Sequence, residues 1–388
     1  MFSTRFPAVR KLSASLLAAS LLALPAGGQD FDSAAPFAYI KDIGANIVLF
    51  QRGQDEPMPP ASMAKMMTVL VAFDLVDHGK LKLSDKCTVR PDTWTQWQNQ
   101  GSTMFLEVNE TVTVEQLLDG IVTLSGNDAS VVLAECIAGT ESAFAKAMNS
   151  MGKEIGLTGS NFETANGWPH ENEHVTAHDL ARIAEETIEN HRKLYDRFYT
   201  IPEVTRNLSS GETITQQNRN PVLGRVQGAD GLKTGHTEAA GYGFTGSVER
   251  DGRRIVMVVA GLTSQAQRRD ESTRMLEWAF NAYEGATLEP GRVIAEADVH
   301  NGEAMKVGLK AADGSYLLLP KAVVSDVTAK VVYKGPIEAP IKENQRVGYL
   351  VVQAADLPEQ RVPLVAAQEV DEAGFFTKAI NGFSSLLN

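Results

Sequence analysis

The sequence predicts an α+β protein in which an antiparallel sheet is flanked by helices and followed by a small all-β domain. Apolar helical runs stand both before and after consecutive strand-like segments between residues 228 and 261, the order of an α+β layer arrangement rather than of alternating βαβ units. Around Leu288-Glu289-Pro290-Gly291 the composition shifts to short β-rich runs broken by Asp313-Gly314, Gly335-Pro336 and Glu343-Asn344. From Gly374 onward a helical period returns.

The 388 residues exceed the usual size of one compact domain, so two domains are expected. With 43% hydrophobic and 22% charged residues the chain has ample material for a core. A formal net charge of −12 disfavours a nucleic-acid partner, which would need a basic face. Arg5, Arg10 and Lys11 precede an apolar stretch from Leu12 to Leu24 and then Pro25-Ala26-Gly27-Gly28. A basic flank, a short apolar region and small residues describe a secretory signal peptide over 1–28. The two cysteines, Cys87 and Cys136, are too few for a disulfide framework and are expected as free, buried thiols.

In chain order, Ala38-Tyr39-Ile40 and Asn46 to Phe50 flank Asp42 to Gly44 as a hairpin. Met63 to Val76 is apolar or small almost throughout, with no Gly or Pro, and reads as a buried helix after Pro59-Pro60. Asp85 to Val89 is extended, and Thr113 caps a helix that leads into Ser125-Gly126-Asn127. Further helices are expected over Ala129–Ala138, Ala143–Ile155 and, behind Thr176, Ala177–Glu189. Gly231 to Gly235, Gly241 to Val248 and Arg254 to Gly261 are strands, the last two joined by a turn over Glu249 to Gly252. Ser272 to Tyr283 returns to helix. The domains expected are therefore 29–290, α+β, and 291–366, all-β, with a helix over 367–388. In that tail Phe375, Phe376, Ala379, Ile380, Phe383, Leu386 and Leu387 share an arc of about 140°, the pattern of a helix lying in a membrane surface.

The chemistry-bearing stretch is Ser62-x-x-Lys65 at the start of the buried helix. On a helix these positions share a face, and a serine hydroxyl becomes a useful nucleophile only with a base in reach. A desolvated lysine can lose its proton and serve as that base, and the helix dipole favours negative charge near Ser62. Two further short motifs follow in order, Ser125-Gly126-Asn127 and Lys233-Thr234-Gly235. Each alone is common; the three together in an exported chain are not.

This constellation resembles the penicillin-binding-protein and serine β-lactamase superfamily. More closely, the chain is similar to the low-molecular-mass serine D-alanyl-D-alanine carboxypeptidases of the penicillin-binding protein 5/6 type. Gly228 to Thr237, Asn166-Gly167-Trp168-Pro169, Thr176 to Leu180, the β-rich second domain and the amphipathic tail all share in the likeness. The resemblance implies a transpeptidase-like fold and a nucleophilic Ser62 that forms an acyl-enzyme with the penultimate D-alanine of a peptidoglycan pentapeptide. It implies Lys65 as proton acceptor, Ser125 as proton relay, and Asn127 as a hydrogen-bond partner of the substrate amide. Lys233 and Thr234 would bind the substrate's anionic end. Gly235 would leave room for a peptide beside the strand. The backbone N–H groups of Ser62 and His236 would form the oxyanion hole, and Arg268 would stand near the substrate carboxylate. β-Lactams would be covalent inhibitors. Neither cofactor nor metal is implied, and the implied location is periplasmic, at the inner-membrane surface through the C-terminal helix.

His170-Glu171-Asn172-Glu173-His174 matches the zinc-protease pattern His-Glu-x-x-His, but that motif needs a helix, and Gly167-Trp168-Pro169 places it in a loop. A class A β-lactamase would carry a Glu-x-x-Leu-Asn loop between Ser125 and Lys233, and none is present. Endopeptidase action on cross-links is compatible with the same motifs. A membrane-tethered peptidoglycan-binding module would not require Ser62 and Lys65.

Overall fold

The computed structural model describes residues 31–321, 327–354 and 357–374. The expected signal peptide and the amphipathic face from Phe375 to Leu387 lie outside the described residues. The described chain forms two compact units, Phe31–Ala279 and a second beginning at Phe280.

In the first unit β1 (Phe37–Asp42) and β2 (Ile47–Arg52) form the expected hairpin, its turn held by Asp42 Oδ1 accepting from the Ala45 amide at 2.9 Å. A 3₁₀ turn over Ala61–Ala64 then feeds α1 (Lys65–Asp77). The first nine residues of α1 are buried, as expected for a helix apolar on every side. β3 (Lys86–Thr88), α2 (Pro91–Trp97) and β4 (Thr111–Thr113) follow, β3 and β4 pairing antiparallel. α3 (Val114–Leu124) starts with a capping box in which Thr113 and Gln116 satisfy each other's backbone amides. α4 (Asn127–Ala138), α5 (Glu141–Glu154), α6 (Ala177–Asn190) and α7 (Arg192–Phe198) complete the helical layer, with Thr176 capping α6 through the Asp179 amide.

A small hairpin, β5 (Glu203–Asn207) and β6 (Thr213–Gln217), precedes the sheet strands β7 (Ala229–Thr237), β8 (Gly241–Arg250) and β9 (Arg253–Leu262). Asp251 and Gly252, at φ 51° and 76°, give the β8–β9 turn the left-handed pair that matches strand twist. The main sheet runs β2-β1-β9-β8-β7, antiparallel throughout, so β7 is an edge strand. α8 (Gln265–Ala282) follows, and the unit ends within it at Ala279. One core joins α1, α3, α4 and α6 to the sheet through residues such as Met66, Leu70, Phe73, Leu117, Leu133, Leu180 and Val258.

The cysteines are not free thiols. Cys87 on β3 and Cys136 on α4 form a disulfide with a Cα separation of 5.4 Å. Forty-nine positions separate them in sequence, and the packing of α4 against β3 alone decides that they meet.

The second unit begins at Phe280, eleven residues before the expected start at 291. β10 (Tyr283–Thr287) is a strand paired with β13 (Tyr316–Pro320), because Gly285 leaves space for the ring of Tyr316 that any side chain would fill. With β11 (Val293–His300), β12 (Lys306–Ala311), β14 (Val327–Tyr333), β15 (Ile337–Glu338), β16 (Arg346–Ala354) and β17 (Gln360–Ala366) the unit forms a six-stranded sheet in the order β14-β16-β17-β12-β11-β15. Val299, Leu309, Ile341, Val352 and Leu364 are in its core. Residues 367–374 do not begin a helix: Val370 bridges to Ile341, and the Ala373 amide donates to Asn301 O at 2.8 Å, both in extended chain. No helix among the described residues is long and apolar enough to cross a membrane.

Candidate active site

Ser62 lies in the 3₁₀ turn rather than in the helix proper, half-buried, directly after Ala61 at φ 46°. Gly235 explains how the turn is seated: a Cβ there would come within 3.0 Å of Pro60 O, 3.1 Å of Met63 Cγ and 3.2 Å of Ala61 Cβ. The glycine is thus where β7 packs against the Ser62 turn, a reason different from leaving room for a peptide.

Lys65 is fully buried, and its Nζ meets three oxygens: Ser62 Oγ at 2.9 Å, Asn127 Oδ1 at 2.8 Å and Asn166 O at 2.6 Å. Its pKa is lowered to about 7, chiefly by burial and also by Arg219, while Glu173, Asp128 and Glu141 oppose the shift. A neutral amine has two N–H groups and one lone pair. Two of the three partners, the Asn127 and Asn166 carbonyl oxygens, can only accept. The lone pair is therefore left for the one partner that can donate, the Ser62 hydroxyl.

Ser125 and Asn127 reach the site through a sharp helix-to-helix turn. Ser125, the C-cap of α3, is left-handed at φ 62°, and α4 starts two residues later. Ser125 is buried. Asn127 is hydrogen-bonded within the site: Oδ1 accepts from Lys65 and Nδ2 donates to Gln100 O at 2.9 Å. Beside it Asp128, absent from the sequence-derived set, accepts from the Met104 and Leu106 amides and from Thr103 Oγ1, ordering the loop in front of α4.

Lys233 and Thr234 are buried on β7, and His236 is exposed there with its ring stacked on Tyr242 at 3.9 Å. Lys233 Nζ donates to Thr234 O at 3.1 Å. Burial and repulsion from Lys65, Arg219 and Arg268 push Lys233 well below the ordinary lysine range. Arg268, on α8, contacts Gly235 O and Gly243 O at 3.4 Å, lies 5.6 Å from the Tyr242 ring centroid, and is lowered to about 10 by burial. Its Nε has no hydrogen-bond partner among the described residues. Arg219 joins this group unannounced by the sequence, where it is a single cation in an Asn-rich turn; its side chain donates to Ser102 Oγ. Among the described residues Lys233, Arg219 and Arg268 form no ion pair, so the cluster lacks an anion.

A groove of about 380 Å³ borders the site, lined among others by Pro60, Ala61, Trp168, Glu173, Thr237 and Ala239. His170 to His174 lies in a loop, with both His170 and His174 turned to Asn172 of the same loop, so the two histidines share no helix face.

Residues 26–264 match the family model of D-alanyl-D-alanine carboxypeptidases, and residues 286–372 match that of the penicillin-binding protein 5 C-terminal domain. The chain is 32% identical over 332 residues to the D-alanyl-D-alanine carboxypeptidase DacF of Bacillus subtilis, covering 85% of this chain and 84% of that protein. It is 33% identical over 346 residues to DacA of Escherichia coli K12, also a D-alanyl-D-alanine carboxypeptidase, covering 88% and 84%. Penicillin binding protein 5 from Haemophilus influenzae superposes with a TM-score of 0.78 at 31% identity, over 89% of this chain and 100% of that one. With a catalytic unit and a C-terminal unit that both match, this chain belongs to the D-alanyl-D-alanine carboxypeptidase family.

Proposed function

We propose that the protein is a serine-type D-alanyl-D-alanine carboxypeptidase that removes the terminal D-alanine from peptidoglycan pentapeptides. The observation that carries this reading is the set of oxygens around Lys65 Nζ, which directs the lone pair of the neutral amine at the Ser62 hydroxyl. Ser62 Oγ attacks the carbonyl carbon of the penultimate D-alanine while its proton passes to Lys65. Backbone N–H groups of Ser62 and His236 stabilise the developing oxyanion. The C–N bond then breaks, and the leaving D-alanine amine takes a proton relayed through Ser125. Water hydrolyses the acyl-enzyme and regenerates Ser62.

The substrate's terminal carboxylate is the anion that Lys233, Thr234, Arg219 and Arg268 would receive. Its arrival returns Lys233 toward its charged form, because an adjacent carboxylate offsets the repulsion of the other cations. A β-lactam carries an equivalent carboxylate beside a reactive carbonyl and acylates Ser62 in the same way. The Cys87–Cys136 disulfide supports export to an oxidising compartment, consistent with a signal peptide over 1–28. We place the enzyme in the periplasm, held at the inner-membrane surface by residues 375–388.

The test is release of free D-alanine from a peptide ending in D-Ala-D-Ala by the purified mature protein. Release that disappears in Ser62→Ala and after penicillin treatment supports the assignment. Folded protein that neither releases D-alanine nor becomes labelled by penicillin overturns it.

A further inference from the structure

The turn that presents Asn166 O to Lys65 is held by two carboxylates that the chemistry above does not use, Glu173, which is buried, and Glu141, which is half-buried. Glu173 Oε2 accepts from the Thr164 amide at 3.1 Å and from Thr164 Oγ1 at 2.7 Å. Glu141 Oε1 accepts from the Ala165 amide at 2.9 Å. Thr68, one turn along α1 from Lys65, donates through Oγ1 to Ala165 O at 2.6 Å. Thr164 Oγ1 in turn accepts from the Gly167 amide at 3.0 Å. Gly167, at φ 74°, lies so close to the Ala61 carbonyl that a side chain there would collide with it. The turn is therefore pressed against both the nucleophile and its base.

Glu173 is 6% exposed, and its second oxygen, Oε1, has no hydrogen-bond partner among the described residues. Holding Thr164 requires only an acceptor, which a glutamine would supply, and a carboxylate is far harder to bury than an amide. What the carboxylate adds is charge. The charged groups facing Lys65 are Glu173 from this loop, Glu141 from α5, Asp128 from α4, Arg219, and Lys233 from β7. Of the acids, Asp128 is taken up by the Met104, Leu106 and Ala129 amides and the Thr103 hydroxyl. Glu173 is the acid that most strongly favours the charged form of Lys65.

We propose that Glu173 is a positioning residue for the acylation step, fixing the Thr164–Asn166 turn against Lys65 and stabilising, as an anion, the ammonium formed when Lys65 takes the Ser62 proton. The inference rests on Lys65 being the base. Burial raises Glu173 itself to about 7, the value to which Lys65 is lowered. Without the anion, Lys65 is a weaker base and loses its proton at lower pH.

The experiment is the pH dependence of Ser62 acylation by benzylpenicillin for wild type, Glu173→Gln and Glu173→Asp, with melting temperatures for all three. Glu173→Gln is expected to move the acid limb to lower pH by about half a unit or more and to lower the plateau rate severalfold. Glu173→Asp keeps the charge and is expected to keep the limb at its wild-type position. A Glu173→Gln limb that coincides with wild type overturns the inference, as does a Glu173→Asp limb displaced as far as that of Glu173→Gln. If Glu173→Gln does not fold, the Asp variant decides alone: an unmoved limb supports the proposal and a limb shifted to lower pH overturns it. Wild-type protein inert to penicillin would instead overturn the carboxypeptidase reading.

Discussion

Replacing Gly235 by alanine tests whether close packing of β7 on the Ser62 turn sets the rate of acylation. The added Cβ would sit 3.0 Å from Pro60 O, 3.1 Å from Met63 Cγ and 3.2 Å from Ala61 Cβ. Comfortable contacts between such atoms begin near about 3.5 Å, so strand and turn must part by roughly 0.3–0.5 Å. Two of the three obstacles belong to the turn immediately before Ser62, which leaves the turn itself as the part that moves. A misplacement of about 1 Å in a catalytic constellation costs about a hundredfold, so on a logarithmic scale this displacement costs about four- to tenfold in acylation. Overpacking of this kind destabilises by about 1–3 kcal/mol, a few degrees of melting temperature in a unit of this size. The assay is the second-order rate of Ser62 acylation by penicillin, measured well below the melting transition. A folded Gly235→Ala protein acylated within twofold of wild type would refute the packing argument.

Further outcomes follow from the same structure. Reducing the Cys87–Cys136 bond, which closes a 49-residue separation, removes about 4 kcal/mol in the chain-entropy description and lowers the melting temperature by about 8–16 °C. An unchanged transition in protein shown to be reduced would contradict this. Acylation should rise with pH through about 7 as Lys65 loses its proton, and a limb near the ordinary lysine value of 10.5 would refute the buried-base assignment. Because burial depresses this lysine, the folded state binds fewer protons than the unfolded one between about 7 and 10.5. The contribution of Lys65 to stability is therefore lost as pH falls through that window, and Lys65→Met should flatten the slope of stability against pH as well as abolish acylation. Arg268→Ala should cut kcat/KM for a peptide with a free terminal carboxylate by about 10- to 100-fold, the worth of one charged hydrogen bond. The same substitution should cost much less on the corresponding peptide amide, and equal losses on both would remove Arg268 from carboxylate recognition.

What the sequence by itself determined was local. The Asp251-Gly252 turn, the Thr113 and Thr176 caps and the all-apolar character of α1 follow from rules that act over a few residues. Ser62 and Lys65 are three positions apart, so their 2.9 Å contact needed only one turn of chain. Tertiary structure decided the rest. It joined Cys87 to Cys136, made Tyr283–Thr287 a strand by pairing it with β13, and held Val370 beside Ile341 and Ala373 beside Asn301. It turned Asn127 toward Lys65 and made Gly235 a packing position. It also brought Arg219 and Glu173 to bear on a lysine more than a hundred positions away, although neither stands in a motif. The reason is physical: a turn or a cap is built from neighbours along the chain, whereas burial, and the electric field of charges brought close by folding, set the proton affinity of Lys65.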